Sequence, residues 1–214
     1  MSTSRPIVEL CGVAVRVGVV SVVRDVDFVV DAGGSVGLFG ANGVGKTTLL
    51  RLMATLLKPS AGVGRVLGAD LSGPDRFGVR DGIGFIGHVP SLYPELTLRE
   101  NLEFVSDVIG APGGMVDEVL EVVGLGGASA RRAVVCSFGM QRRAEFAREL
   151  MRVPSLLLLD EPHSALDASA LGIVEHLVQR VCDAGGATVL VSHDRERVSK
   201  LTERAVELVE GTLR

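Results

Sequence analysis

The sequence predicts an α/β domain built on a mostly parallel sheet. Three observations carry this reading. Apolar runs of strand length alternate with helical patterns; the run at 155–160 holds four consecutive leucines, as a strand covered on both faces requires; and a buried strand at 35–39 feeds a glycine-rich turn and then a helix. The length of 214 residues suits one domain with lobes, and 7 Phe, 1 Tyr and no Trp in a chain that is 47% hydrophobic demand an aliphatic core.

The elements follow in order. Short valine-rich runs at 7–10, 13–17, 19–23 and 26–30, separated by Gly, Arg and Asp, read as an antiparallel β layer. Strand 35–39 leads through the glycines to a helix over 46–57, stopped by Lys58-Pro59. Strands at 63–67 and 83–86 come next, then a loop with Pro90 and Pro94. From 98 to 123 leucine and valine recur at three- and four-residue spacing, with a break at 110–114. A helix over 140–152 precedes strand 155–160. Helix 167–182, strand 187–192, a short helix after His193 and a last strand at 205–209 complete the pattern.

Composition excludes several classes. A net charge of −4, with 19 Arg and 3 Lys interspersed among 26 acidic residues, supplies no electrostatic footprint for nucleic acid. Mean hydropathy is +0.37, yet the longest uncharged runs, 32–45 and 82–94, are broken by Gly or Pro and are too short to span a bilayer. The first ten residues lack the features of a secretory signal, so cytoplasmic residence is expected. Cys11, Cys136 and Cys182 have neither disulfide nor zinc spacing and read as buried free thiols.

Two motifs carry chemistry. Gly40-Ala41-Asn42-Gly43-Val44-Gly45-Lys46-Thr47-Thr48 fits G-x-x-x-x-G-K-[ST], a loop whose backbone N–H groups wrap phosphates at a helix N-terminus. Lys46 reaches the β- and γ-phosphates in such a loop, and Thr47 offers a hydroxyl to Mg²⁺. The second motif is Leu159-Asp160-Glu161 at the end of the leucine strand. A carboxylate beside a phosphate loop can hold the metal and its neighbour can deprotonate an attacking water, which assigns Asp160 to Mg²⁺ and Glu161 to the general base.

With these residues the chain resembles the ATP-binding cassette of ABC transporters over essentially its whole length. The resemblance also rests on Ser164-Ala165-Leu166-Asp167, on Ser192-His193-Asp194, and on Cys136-Ser137-Phe138-Gly139-Met140 followed by Gln141-Arg142-Arg143. It implies a P-loop NTPase fold with an N-terminal antiparallel layer, a parallel-sheet core (1–87 and 153–214) and a helical signature lobe (about 88–152). It implies ATP as substrate and Mg²⁺ as cofactor, His193 as the switch residue at the γ-phosphate, and Asp167 at the dimer interface. Ser137 and Gly139 become the signature loop, which touches the γ-phosphate bound by the opposite copy. Here a hydroxyl, a glycine that permits close approach and free helix N–H groups suit an anion.

The chain departs from the usual cassette at three places. Cys136, Phe138 and Met140 replace common signature residues, Val17 or Arg16 falls where an aromatic side chain stacks on adenine, and His88 falls where a glutamine approaches Mg²⁺. The segment 87–102, with its Gly87-His88 pair and Asn101-Leu102 helix start, is similar to the haem-exporter ATP-binding subunit of cytochrome c biogenesis, although related exporters share Tyr93-Pro94-Glu95-Leu96-Thr97. The resemblance implies a head-to-tail homodimer that works with a separate membrane permease, docked near 88–95, on the cytoplasmic face of the plasma membrane. A drug- or lipid-type exporter remains open as an alternative, as does a nucleotide-gated module with little hydrolysis.

Overall fold

The four valine-rich runs expected over the first 30 residues are two long strands, β1 (Val8–Val17) and β2 (Val20–Val30), paired as an antiparallel hairpin. The expected breaks are irregularities within the strands. Gly12 and Asp25 take left-handed backbone angles (φ 57° and 45°), the pairing register shifts near Gly12, and the Gly12 N–H donates to Asp27 Oδ1 at 2.7 Å. A bulge inserts a residue without ending the strand, so the apolar side chains Val8, Leu10, Val13 and Val15 all remain buried.

The computed structural model describes residues 5–164, 166, 170–193 and 195–214. They fall into two compact units: residues up to Phe85 with Pro154–Pro162 and Val181–Arg214, and Ile86–Val153 with His163–Arg180.

In the first unit the hairpin is followed by β3 (Ser35–Phe39), α1 (Lys46–Met53), β4 (Ala61–Val66) and β5 (Ala69–Asp70). The first sheet has the order β2-β1-β4-β5 and is antiparallel throughout. The second sheet contains β6 (Ile83–Ile86), β7 (Leu156–Asp160), β8 (Ala187–Val191), β9 (Arg204–Val209) and β10 (Thr212–Leu213), in the order β10-β9-β3-β8-β7-β6. Strands β9, β3, β8 and β7 run parallel, and every residue of β3, β7 and β8 is buried. Leu49, Leu50, Leu52 and Met53 of α1 join Leu38, Leu156, Leu158 and Val189 in one aliphatic core. Full burial of each such side chain contributes roughly 2 kcal/mol.

The strand expected at 63–67 is β4 (Ala61–Val66), and those expected at 155–160, 187–192 and 205–209 each differ by one residue at one end; two larger differences have a visible cause. Helix α1 ends at Met53, short of Lys58-Pro59, because Thr55 takes a left-handed angle (φ 61°) and is held there by Arg80, which donates to Thr55 Oγ1 at 2.9 Å and Thr55 O at 3.0 Å. Strand β10 was not expected at all. It follows a two-residue turn in which Glu210 and Gly211 both have positive φ, the geometry that matches strand twist in a tight hairpin.

The second unit is helical: α2 (Leu98–Ile109), α3 (Met115–Val122) and α4 (Phe138–Arg152) pack on one another. The break expected at 110–114 separates α2 from α3, with Gly110 in the left-handed cap position. Helix α4 begins at Phe138, two residues earlier than its apolar pattern suggests, because Ser137 caps it and accepts from the Met140 N–H at 3.3 Å. Two further helices, α5 (Leu171–Asp183) and α6 (Arg195–Leu201), complete the chain; the start expected for α5, at 167, lies outside the described residues.

A reciprocal cap starts α2. Thr97 Oγ1 accepts from the Glu100 N–H at 3.1 Å, and Glu100 Oε2 accepts from the Thr97 N–H at 2.7 Å. The second bond holds the Glu100 carboxyl below its ordinary value. A depressed carboxylate contributes stability that is present above its unfolded pKa and is lost as pH falls through the folded value. Thr97→Ala is therefore expected to cost about 1 kcal/mol. Glu100→Gln is expected to be less stable than the parent at neutral pH and to converge with it on acidification. Urea unfolding across a pH series measures both, and a Glu100→Gln penalty unaffected by acid contradicts the assignment.

Candidate active site

The glycine-rich loop leaves the end of β3 and enters α1, and each neighbour dictates its glycines. A Cβ on Gly40 (φ 144°) would lie 2.4 Å from the Leu208 carbonyl oxygen of β9. One on Gly45 (φ 117°) would lie 3.0 Å from Val22 Cγ1 and 3.1 Å from Val22 O. Both sheets thus press on the loop, and only glycine fits. Gly43 (φ 78°) has open space around it, so there the left-handed angle alone calls for glycine.

Lys46 is only 7% exposed, and its ammonium donates to Gly40 O at 2.7 Å and Ala41 O at 2.9 Å. Two carbonyls are thereby drawn to the lysine, leaving one N–H of the ammonium for a further acceptor. Helix α1 has no capping side chain and no acidic residue in its first turn. Its first N–H groups, those of Lys46, Thr47 and Thr48 among them, have no intrahelical acceptor and suit an anion.

Thr47 and Asp160, 113 positions apart in the chain, meet at the carboxyl end of the parallel sheet. Thr47 Oγ1 donates to Asp160 Oδ2 at 2.7 Å, and Asp160 is buried. The pair offers two hard oxygen donors, a hydroxyl and a carboxylate. This fits Mg²⁺, which takes one or two protein oxygens and completes its shell with water and phosphate.

The next residue, Glu161, turns out of β7 with φ 51°, anchored by its N–H to Val191 O at 2.9 Å. Its Oε2 accepts from Ser192 Oγ at 3.2 Å and lies 2.9 Å from His193 Nδ1. Glu161 is largely shielded, with 20% of its side chain exposed, whereas His193 is 77% exposed. The structure therefore joins the two residues that the sequence assigned separately. Ser192 is an additional partner whose only sequence signal is its place before His193.

The other expected site residues that are described belong to the helical unit. Ser137 and Gly139 open α4 and, with Phe138, Met140, Leu125 and Arg143, line a recess of about 510 Å³. Gln141 fixes the preceding turn by donating to Ala133 O at 2.9 Å and Cys136 O at 3.1 Å. Of the three cysteines expected to be buried thiols only Cys136 is, Cys182 being partly buried and Cys11 exposed on its strand; burial pushes the Cys136 thiol above its ordinary pKa. His88 is exposed and its carbonyl accepts from Arg142. Asp167 lies outside the described residues.

The sequence reading named Arg142 only as part of the signature segment, with no role, and missed Glu145; both are fully buried beneath the His88 loop. Their i,i+3 spacing was the available signal.

The model of the ABC transporter family matches residues 23–164, well over half of the chain. The chain belongs to this family. As an ABC ATPase domain it is 39% identical over 165 residues to the cytochrome c biogenesis ATP-binding export protein CcmA of Rhodospirillum rubrum, covering 75% of this chain and 69% of the relative. It is 35% identical over 211 residues to the Fe(3+) ions import ATP-binding protein FbpC 2 of Rhodococcus jostii, covering 96% of this chain but only 60% of the relative. An ATP-binding cassette solved as a dimer in a post-hydrolysis state with ADP and Pi matches with a TM-score of 0.84 at 27% identity, over 96% of both chains. Among the described residues of this ABC ATPase domain, no helix is long and apolar enough to cross a membrane.

Gly40→Ala is expected to cost on the order of 2 kcal/mol and to weaken ATP binding, because the added methyl meets backbone. Gly43→Ala is expected to cost about 1 kcal/mol, from the left-handed angle alone. Thermal unfolding with titration of a fluorescent ATP analogue compares them, and equal effects contradict the packing argument.

Proposed function

We propose that the chain binds and hydrolyses ATP to drive a separate membrane permease, with haem export for cytochrome c biogenesis as the transport task. The observation that carries hydrolysis is the Thr47–Asp160 contact of 2.7 Å with Glu161 next in the chain, its carboxylate bonded to Ser192 and 2.9 Å from His193. The export reading is supported by the CcmA relative and by the Gly87-His88 segment. The FbpC relative, aligned over 96% of the chain, supports ion import as a second reading.

The residues divide the work as follows. The N–H groups of the loop from Gly40 to Thr48, including Asn42 and Val44, and the Lys46 ammonium bind the β- and γ-phosphates. Thr47 and Asp160 hold Mg²⁺, which when bound neutralises charge on the phosphate oxygens. Glu161 takes a proton from a water as its oxygen bonds to the γ-phosphorus, while the bond to the β,γ-bridging oxygen breaks and ADP departs. Ser192 and His193 orient the Glu161 carboxylate, and His193 is exposed enough to reach the γ-phosphate. Ser137 and Gly139 of a second copy complete each site in a head-to-tail dimer, with Asp167 at the interface. Residues 1–87 and 153–214 serve as the nucleotide-binding lobe, and about 88–152 as the signature lobe that meets the permease near 88–95. The chain then works peripherally, on the cytoplasmic face of the plasma membrane.

Steady-state phosphate release tests the proposal. Glu161→Gln is expected to lower kcat by about 10²-fold or more while Mg-ATP still raises the melting temperature. Equal activity of parent and variant removes Glu161 as the base. Equal inactivity, with ATP binding retained, makes the chain a nucleotide-gated binding module.

A further inference from the structure

Beneath the exposed loop that carries His88 lies a closed polar circuit. Arg142 Nη1 donates to Gly87 O at 2.7 Å and to Glu145 Oε2 at 2.9 Å, and Arg142 Nη2 donates to His88 O at 2.8 Å. Glu145 Oε1 in turn accepts from the Ser91 N–H at 2.9 Å and the Ser91 hydroxyl at 3.0 Å. One turn of α4 therefore grips both ends of the segment 87–91, and Arg148 adds a bond to Ser91 Oγ at 3.2 Å. Between the two grips the loop projects, with His88 exposed and Val89 73% exposed.

The same arginine touches the signature. Its guanidinium carbon lies 5.3 Å from the centre of the Phe138 ring, four residues earlier on the helix. Phe138 is a departure from the common signature, and here it forms one face of the arginine's surroundings. Ser137, which caps α4, is five residues from Arg142, or about 8 Å along the helix axis. Arg142 and Glu145 are both 0% exposed, a costly way merely to fill a core, because well-packed apolar side chains can often replace such a pair without loss of stability. What an apolar pair cannot do is hold three backbone groups of a neighbouring loop in one register.

We propose that Arg142 and Glu145 are positioning residues that lock the loop 87–91 to the signature helix, so that a load on Ser137 and Gly139 is delivered to His88 and Val89. The inference rests on the reading of Ser137 and Gly139 as a nucleotide contact. It adds the residues that carry that contact to the partner-facing loop, and it gives Phe138 a role.

Amide hydrogen exchange on the full chain tests it, using Arg142→Met with Glu145→Leu to break the circuit while keeping the volume filled. Thermal unfolding of that variant monitors the fold, and Arg142→Lys, which keeps charge but loses the fork, is the second variant. Without nucleotide, exchange at 88–91 is expected to quicken about tenfold in the double variant and less in Arg142→Lys, with the melting temperature little changed. With Mg-ATP on a Glu161→Gln background, the segments 138–141 and 88–91 are expected to gain protection together. In the double variant 138–141 alone is expected to respond. Unchanged exchange at 88–91, or a loop that still follows 138–141, overturns the proposal. If Mg-ATP protects neither segment in the parent chain, the nucleotide reading of the signature fails, and the nucleotide-free comparison still decides whether the circuit holds the loop.

Discussion

The buried ammonium of Lys46, bonded to the carbonyls of Gly40 and Ala41, is the interaction on which the rest of the site depends. The six residues Gly40–Gly45 between β3 and α1 have no strand or helix ladder to hold them, and an irregular backbone is ordered only if its polar groups find partners. Here the lysine supplies two of them from inside. Its position is secured in turn by α1, whose Leu49, Leu50, Leu52 and Met53 are fully buried, so the helix cannot shift without opening the core. Gly40 against β9 and Gly45 against β2 fix the loop from outside. A phosphate would thus meet donors already in place, which spares the ordering cost that a flexible loop would incur on binding.

The parallel sheet gathers the remaining groups by register. Asp160 pairs with Val191 across β7 and β8, so Glu161, Ser192 and His193 leave adjacent strands at the same level. The phosphate loop leaves β3, the other neighbour of β8, at the same end. Side chains far apart in the chain therefore converge because parallel strands share a carboxyl end, the usual place for ligands in such folds. The Thr47–Asp160 bond ties the loop side of this cluster to the acidic side.

Much of this was legible in the sequence. Strands 35–39 and 83–86 were read to the residue, because an apolar run ending in glycine leaves little freedom. The phosphate loop and the acidic pair were legible because their residue types are dictated locally. Three kinds of feature were not. The bulges at Gly12 and Asp25 look like strand ends, because a left-handed residue within a strand and one in a turn have the same composition. The end of α1 at Met53 is set by Arg80, 25 residues beyond Thr55, which no local pattern reveals. The pairing of Glu161 with His193 and the circuit of Arg142, Glu145 and Ser91 are tertiary. Charged residues within helical patterns normally read as a solvated face, and only the fold turns these inward.

Lys46 also permits the most direct measurement. The melting temperature of the parent chain and of Lys46→Met, each with and without saturating Mg-ATP, isolates the ligand's contribution from any intrinsic loss of stability. The parent is expected to gain roughly 2.7 kcal/mol at a hundredfold excess of ATP over its Kd. Lys46→Met is expected to gain almost nothing at the same concentration. An equal gain in both would mean that the loop around Lys46 does not bind the phosphates, and would contradict the assignment of the site.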